Sequence, residues 1–362
     1  MRLFYWSIGA TLKVKPFSKI NSIHAQFNLP LKNRYKNIAQ KQFYHRCSGF
    51  NRLILPQTFF MRYLLLLSIL FTNFAEAQYR LALNLEKGNT YIQRSSADLT
   101  INQEINGQKM DIVSTISGIM GFKVVEKSAS SYILETVYTE LNMSMKTPNG
   151  EVSFSSTKPY DEKDIFSRLL KNMIDHPFYI NMQSTGKITE IKGIDSLWTN
   201  IFSSFPELDA DKKEQILAQL KQSYGENSLR GNIEQLTAIF PSQKVKINDQ
   251  WQNSIELRTT MHATINNHFK LLDYNPSYFD IENHADTRTS DDTVQTNGMS
   301  ATYKLAGPTD SRIKIDTKTG WIIEANTHME LKGTLQLLDN PKIPGGMLIA
   351  MDMTSVSKVT DK

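Results

Sequence analysis

From residue 79 onward the apolar positions change period twice. Over 79–160 they alternate with polar ones, which predicts strands with one dry face and one wet face. One strand runs over 90–105 into Asn106-Gly107, a dipeptide suited to a tight hairpin because both residues tolerate positive φ. The next places Met110, Ile112, Ile116, Met120, Phe122 and Val124 on one parity, with Asp111, Thr115, Ser117 and Lys123 on the other. A third covers 130–145 and stops at Pro148-Asn149-Gly150, and a fourth covers 151–157. The period then becomes helical. Ile165, Phe166, Leu169, Leu170 and Met173 follow Asp161 or Asp164 as a cap. A hairpin over 178–185 and 187–192 turns at Thr185-Gly186. Three amphipathic helices follow: one on Leu197, Trp198, Ile201, Phe202 and Phe205, one on Ile216, Leu217, Leu220 and Tyr224 led by Asp209, and one on Leu229, Ile233, Leu236 and Phe240 stopped by Pro241.

From 244 the strand period returns. Leu257, Thr259, Met261, Ala263, Ile265, Phe269 and Leu271 read as one face of one long strand. Trp321, Ile323, Ala325, Met329, Leu331, Leu335 and Leu337 form a second such face, and Met347, Ile349, Met351 and Met353 a third. Residues 286–298, nearly free of apolar side chains, read as a polar loop around Asp291-Asp292. The fold class expected is therefore α+β. Long antiparallel strands fall in two β-rich blocks, 78–160 and 244–362, around a mainly helical segment at 161–243. Lys87-Gly88-Asn89-Thr90-Tyr91 and Asn248-Asp249-Gln250-Trp251 open the two blocks alike, turn residues leading to an aromatic and a strand. That similarity fits a duplication or a half-open barrel; the alternative is one continuous sheet with a helical insertion.

The stretch 61–78, MRYLLLLSILFTNFAEAQ, belongs to none of these elements. Arg62 precedes an apolar run of a dozen residues, and Ala75-Glu76-Ala77 is a small-x-small cleavage site before Gln78. This is the three-part pattern of a secretory signal peptide, with cleavage expected between Ala77 and Gln78. The run is shorter than the ~20 apolar residues a spanning helix needs. No cysteine follows it to carry a lipid anchor. Residues 1–60, basic and free of Asp and Glu, read as an upstream extension called from too early a start, with Met61 the expected beginning.

Cleavage would change the composition. The whole chain of 362 residues carries a formal charge of +5, but from Gln78 on there are 30 basic and 35 acidic residues. The basic balance that a nucleic-acid partner would require then disappears. Cys47, the only cysteine, lies upstream, which removes disulfide and thiolate chemistry from the remainder.

Motifs for catalysis are missing. No Walker loop, GxGxxG, GxSxG or HExxH occurs. The five histidines after the signal segment are His176, His262, His268, His284 and His328, and none has a ligand partner at metal-binding spacing. His262 and His268 share a face but sit ~20 Å apart along an extended strand, so only an unknown strand pairing would bring another histidine to either. No metal, cofactor or catalytic residue is assigned on this basis. The remaining feature is methionine: twelve follow the signal segment, many on apolar parities. Met261, Met329 and Met351 would line an apolar ligand face if the sheets curl without closing tightly.

The runs LNLEKGNTYIQRSSADLTINQEINGQKMDI, FYINMQSTGKITEIKGIDSLW and INDQW resemble an uncharacterised family of exported Bacteroidetes proteins, known as domain of unknown function 6263. The resemblance covers most of 80–360 and brings no catalytic residues. It implies export, to the periplasm, the envelope or the medium, and a start at Met61. The function expected is a non-enzymatic binding or structural module with a lipid or an envelope protein as partner, no nucleic acid, and no transmembrane span after cleavage. The alternatives are a carrier of lipid or another apolar ligand and, more weakly, a hydrolase using carboxylates or histidines.

Overall fold

The computed structural model describes residues 77–362 apart from Asn106, Ser204, Thr260, Asn297, Gly298 and Lys342. The expected leader and nearly all of the expected signal segment lie outside the described residues, as does Asn106 of the first hairpin. Gly107 beside it has φ +77°, the positive value such a turn needs.

Strand β1 (Thr90–Ile105) pairs with β2 (Gln108–Lys127), and β2 with β3 (Ser131–Thr147). The outer edge of β3 carries β4 (Gly150–Ser155) along one half. Its other half carries β5 (Phe178–Gln183), which pairs in turn with β6 (Ile188–Lys192). Helix α1 (Ile165–Met173) lies between β4 and β5 in the chain, and α2 (Ile194–Ser203), α3 (Ala210–Tyr224) and α4 (Glu226–Thr237) follow β6. The caps are those the sequence offers. Asp164 accepts from the Ser167 N–H at 3.0 Å, and Asp209 from the Lys212 N–H at 2.8 Å. The chain then adds β7 (Gln250–Arg258), β8 (His262–Tyr274), β9 (Tyr278–Thr289), β10 (Thr293–Thr296), β11 (Met299–Asp316), β12 (Ile322–Leu337) and β13 (Met347–Thr360).

The thirteen strands among the described residues join one antiparallel sheet in the order β6-β5-β3-β2-β1-β13-β12-β11-β9-β8-β7, with β4 on β3 and β10 on β11. The two β-rich blocks are thus fused. The last strand, β13, lies between β1 and β12. The molecule is more β-rich than an α+β reading implies, and the alternative of one continuous sheet describes it better than two separate blocks. The two similar openings do fold alike. Gly88 (φ +90°) and Asn248 (φ +74°) each donate their N–H to the neighbouring strand, to Val124 O and Leu271 O, at 2.8 and 2.7 Å.

Two sequence readings are corrected. Leu257–Leu271 is not one strand but the β7–β8 hairpin, reversing near residue 260. Leu257 pairs with Ala263, and cross-strand partners share a face, so the parity survives the turn and hides it. Residues 286–298 are not a loop: β9 continues to Thr289 and β10 follows. Thr287 and Thr289 point inward, where Thr287 Oγ1 meets Thr309 Oγ1 at 3.0 Å and Thr289 donates to Tyr303 O at 2.8 Å. Polar composition there marks a hydrogen-bonded interior rather than irregular backbone.

Helix α4 contacts both free edges of the sheet. Toward β6, Glu234 accepts from the Ile188 N–H at 2.7 Å, Arg230 donates to Ile188 O at 2.5 Å, and Thr237 donates to Gly186 O at 2.7 Å. Toward β7, Ser228 donates to Arg258 O at 2.8 Å, and Gly231 lies so close that an added Cβ would stand 3.1 Å from Glu256 O. Just past the helix, Trp251 donates to Ile239 O at 2.8 Å, and Asn253 donates to Ala238 O. One helix reaching both edges requires the sheet to curl, with α4 filling the gap that strand pairing leaves open.

The inward face divides along the strands. At the end where β1 starts, helices α1–α4 pack on the sheet with Trp198, Phe178, Phe205 and Phe269 almost fully buried. The segment 79–85 crosses this end, its Leu81, Leu83 and Leu85 buried, its Leu83 N–H bonded to Ser184 O and its Asn84 N–H to Thr319 O, both at 2.8 Å. The other end, where the β1–β2 and β7–β8 turns lie, holds a second apolar cluster.

Candidate functional site

The second cluster is built from inward positions of β1, β2, β3, β11, β12 and β13, including Ile101, Ile112, Leu331, Leu335 and Ile349. It gathers the three methionines singled out in the sequence. Met351 is buried within it, and Met329 and Met261 pack against it half-buried. Met110, Met299 and Met347 join them, also half-buried. Met145 and Met353 of the same cluster are 1% and 6% exposed, while at the helical end Met173 and Met182 are 0% exposed and Met120 is half-buried. Half-buried methionines therefore gather at the end of the inward face away from the helices.

Polar inward residues separate the two clusters. Asn253, Asn267 and Asn283 sit on β7, β8 and β9 as register partners or diagonal neighbours. Asn267 Nδ2 donates to Asn253 Oδ1 and Asn283 Nδ2 to Asn267 Oδ1, each at 2.8 Å. Ser311 and Thr327 meet at 2.9 Å on β11 and β12. Among the described residues, Gln103 Oε1 and Asn283 Oδ1 make no hydrogen bond, with their residues 5% and 6% exposed; Asp280 Oδ1 makes none either but is ion-paired with Arg312. An acceptor buried without a donor is costly, so a water or a ligand donor is favoured at Gln103 and Asn283. The sequence held a signal for this belt that parity alone passes over: Asn267 falls on the apolar parity of Ile265 and Phe269. A small, partly open void between Leu83, Phe240 and Trp321 at the helical end is about 10 Å³, room for about one water.

The outward face is charged along its length, with Glu282, Asp286 and Arg288 on β9 and Glu324, Glu330 and Lys332 on β12. This is the reverse of a membrane barrel, whose outward band is apolar. No described helix is long and apolar enough to cross a membrane. Strand register lines up outward residues that sequence spacing keeps apart. His268 on β8 is the partner of His284 on β9, His284 that of Asp310 on β11, and Asp310 that of His328 on β12. His284 Nδ1 and Asp310 Oδ1 are 2.5 Å apart, and this hydrogen bond to Asp310 holds the imidazole above its ordinary pKa. His328 Nε2 bonds to Glu330 at 2.9 Å, and His262 Nδ1 to Asp292 at 2.9 Å. Beside His268, an open cleft of about 310 Å³ is lined by Gln250, Trp251 and Gln252. Among the described residues no three His, Cys, Asp or Glu side chains converge as a metal cage. Ala77 and Gln78 are exposed and lie ahead of the first pairing, Tyr79 with Val245.

The profile of a protein family described as a family of unknown function, DUF6263, matches residues 129–322, just over half of the chain. The chain belongs to this family. The DUF6263 match runs from the β2–β3 turn to the first residue of β12, and so takes in α1–α4, both edges that α4 contacts, Met261, His268, His284 and Asp310. Met329, Met351 and His328 lie beyond it. No curated protein matches the sequence. Among solved structures the chain is similar to one titled "Lipid-protein interactions in lipovitellin", at 10% identity and a TM-score of 0.42 over 77% of this chain and 25% of that one. The chain thus spans about a quarter of that neighbour's length. It is also similar to the COG4313 outer membrane channel from Pseudomonas putida F1, at 7% identity and a TM-score of 0.24 over 77% of this chain and 97% of that one.

Proposed function

We propose that this DUF6263 protein is an exported, non-enzymatic binding module that holds an apolar, lipid-like molecule at the methionine-lined end of its curled sheet. The observation that carries the reading is the partial exposure of Met110, Met261, Met299, Met329 and Met347 on an inward face. Methionine adapts its shape to varied apolar partners, and these side chains keep surface that a closed core would bury. The unmatched Gln103 acceptor, on the same face, suits a ligand that carries one hydroxyl or amine donor. Export rests on the 61–78 pattern, and the exposed Ala77–Gln78 junction ahead of Tyr79 agrees with cleavage that spares the fold.

Native mass spectrometry of the protein purified from its own host tests the ligand. A co-purifying lipid is expected, and binding of a fluorescent fatty acid should weaken about tenfold or more in Met329→Glu, because a carboxylate would be desolvated there. A protein that carries no lipid and binds no such probe would remove the proposal. N-terminal sequencing of the mature protein should begin at Gln78.

A further inference from the structure

The histidine row on the outward face rests on observations separate from the methionine end. We infer that His268 and His284 form a two-imidazole clamp for a divalent transition-metal ion of the zinc, nickel or copper type, with Asp310 as the residue that positions His284. The two histidines are direct cross-strand partners, and such partners hold their Cβ atoms ~4.5–5.5 Å apart on one face. Two imidazole nitrogens about 2.0–2.1 Å from one ion fit that separation, and water completes the coordination at an open surface. His284 already has the arrangement of a ligating histidine. Its Nδ1 is held by Asp310 Oδ1 at 2.5 Å, which leaves Nε2, on the far side of the ring from Asp310, as the lone-pair nitrogen. Asp310 stands on β11 and His268 on β8, with β9 and His284 between them, so Nε2 is the nitrogen left for the His268 side. Both side chains stand exposed on the outward face, so an ion and its waters reach them directly from solvent.

The other outward histidines are poorer candidates. His328 is separated from His284 by Asp310, and His262 is paired with Asp292. Both therefore serve as controls. Full-length protein free of any affinity-tag histidines is titrated with Zn²⁺ and, separately, with Cu²⁺. Calorimetry should report one site per chain, and Cu²⁺ paramagnetic resonance should show coupling to two imidazole nitrogens. His268→Ala and His284→Ala should each weaken the site at least tenfold, and Asp310→Asn by about tenfold, as loss of an orienting carboxylate does. His262→Ala and His328→Ala should leave it unchanged. Circular dichroism melts matching wild type would show that these exposed substitutions leave the fold intact. Absence of the two-nitrogen signal, or equal binding by the His268→Ala and His284→Ala proteins, would overturn the assignment.

Discussion

At the residue scale, hydrogen bonds at the ends of strands and turns set the local chemistry. Asp292, in the turn between β9 and β10, is held below the ordinary carboxylate pKa by its hydrogen bonds from His262 and then from the Ser290 hydroxyl. A depressed carboxyl stabilises the fold above the range where an unfolded aspartate titrates. That contribution fades as pH falls through the folded value. Solvent around this exposed group keeps it small. Carboxyl NMR titration should place Asp292 below the usual aspartate range, and His262→Ala should move it back up. Gly186 is a stricter position. It has φ +79°, and a Cβ there would stand 1.6 Å from Thr237 O at the end of α4. Gly186→Ala should cost about 2–3 kcal/mol or more in urea unfolding, since strained backbone and a displaced helix add.

At the element scale, α4 is the unusual member. Its hydrophobic side is ordinary, with Leu229 and Ile233 buried. Its polar side does what a neighbouring strand would do, giving Arg230 and Glu234 to the backbone of Ile188 and Ser228 to that of Arg258. The paired substitution Arg230→Ala with Glu234→Ala should cost about 2–4 kcal/mol, as charged hydrogen bonds to part-buried backbone do. Hydrogen exchange should then quicken in β6 and in β7 together. Faster exchange confined to β6 would show that the helix does not couple the two edges.

At the scale of the whole molecule, β13 holds the sheet together. It is the strand between β1 and β12, so without it β1–β4 lose their strand pairing to β7–β12, and among the described residues only the helices, the segment 79–85 and the Trp321 side chain on Ile92 O still tie the two sides. Truncation after Gly346 should therefore abolish a single cooperative thermal transition and leave the chain open to limited proteolysis. Pairing of the first strand with the last is also the most non-local contact a chain can make, so refolding should be slow for its size. The lipid reading belongs to this scale as well, because a methionine-lined end exists only once β1–β3 and β11–β13 stand side by side.

Much of this was legible in the chain. The period-2 runs located β1–β6, β12 and β13 and ran β7 and β8 together, but gave no strand for β9, β10 or β11; the period-3.6 runs located the four described helices, with Asp209 and one of the two offered aspartates, Asp164, at two of their starts. Met261, Met329 and Met351 were legible as inward-facing. These properties depend on local backbone geometry and on whether a side chain prefers water or the interior, and both are written residue by residue. The hairpin within Leu257–Leu271, the fusion of two blocks through β13, the bridge made by α4 and the pairing of His268 with His284 were not legible. A shift of two residues in strand register keeps every side chain on its face, so the pattern fixes the face but leaves neighbour and register open. Only the packed sheet, where each strand must satisfy two specific partners and the gap between β6 and β7 must be filled, decides which distant residues meet.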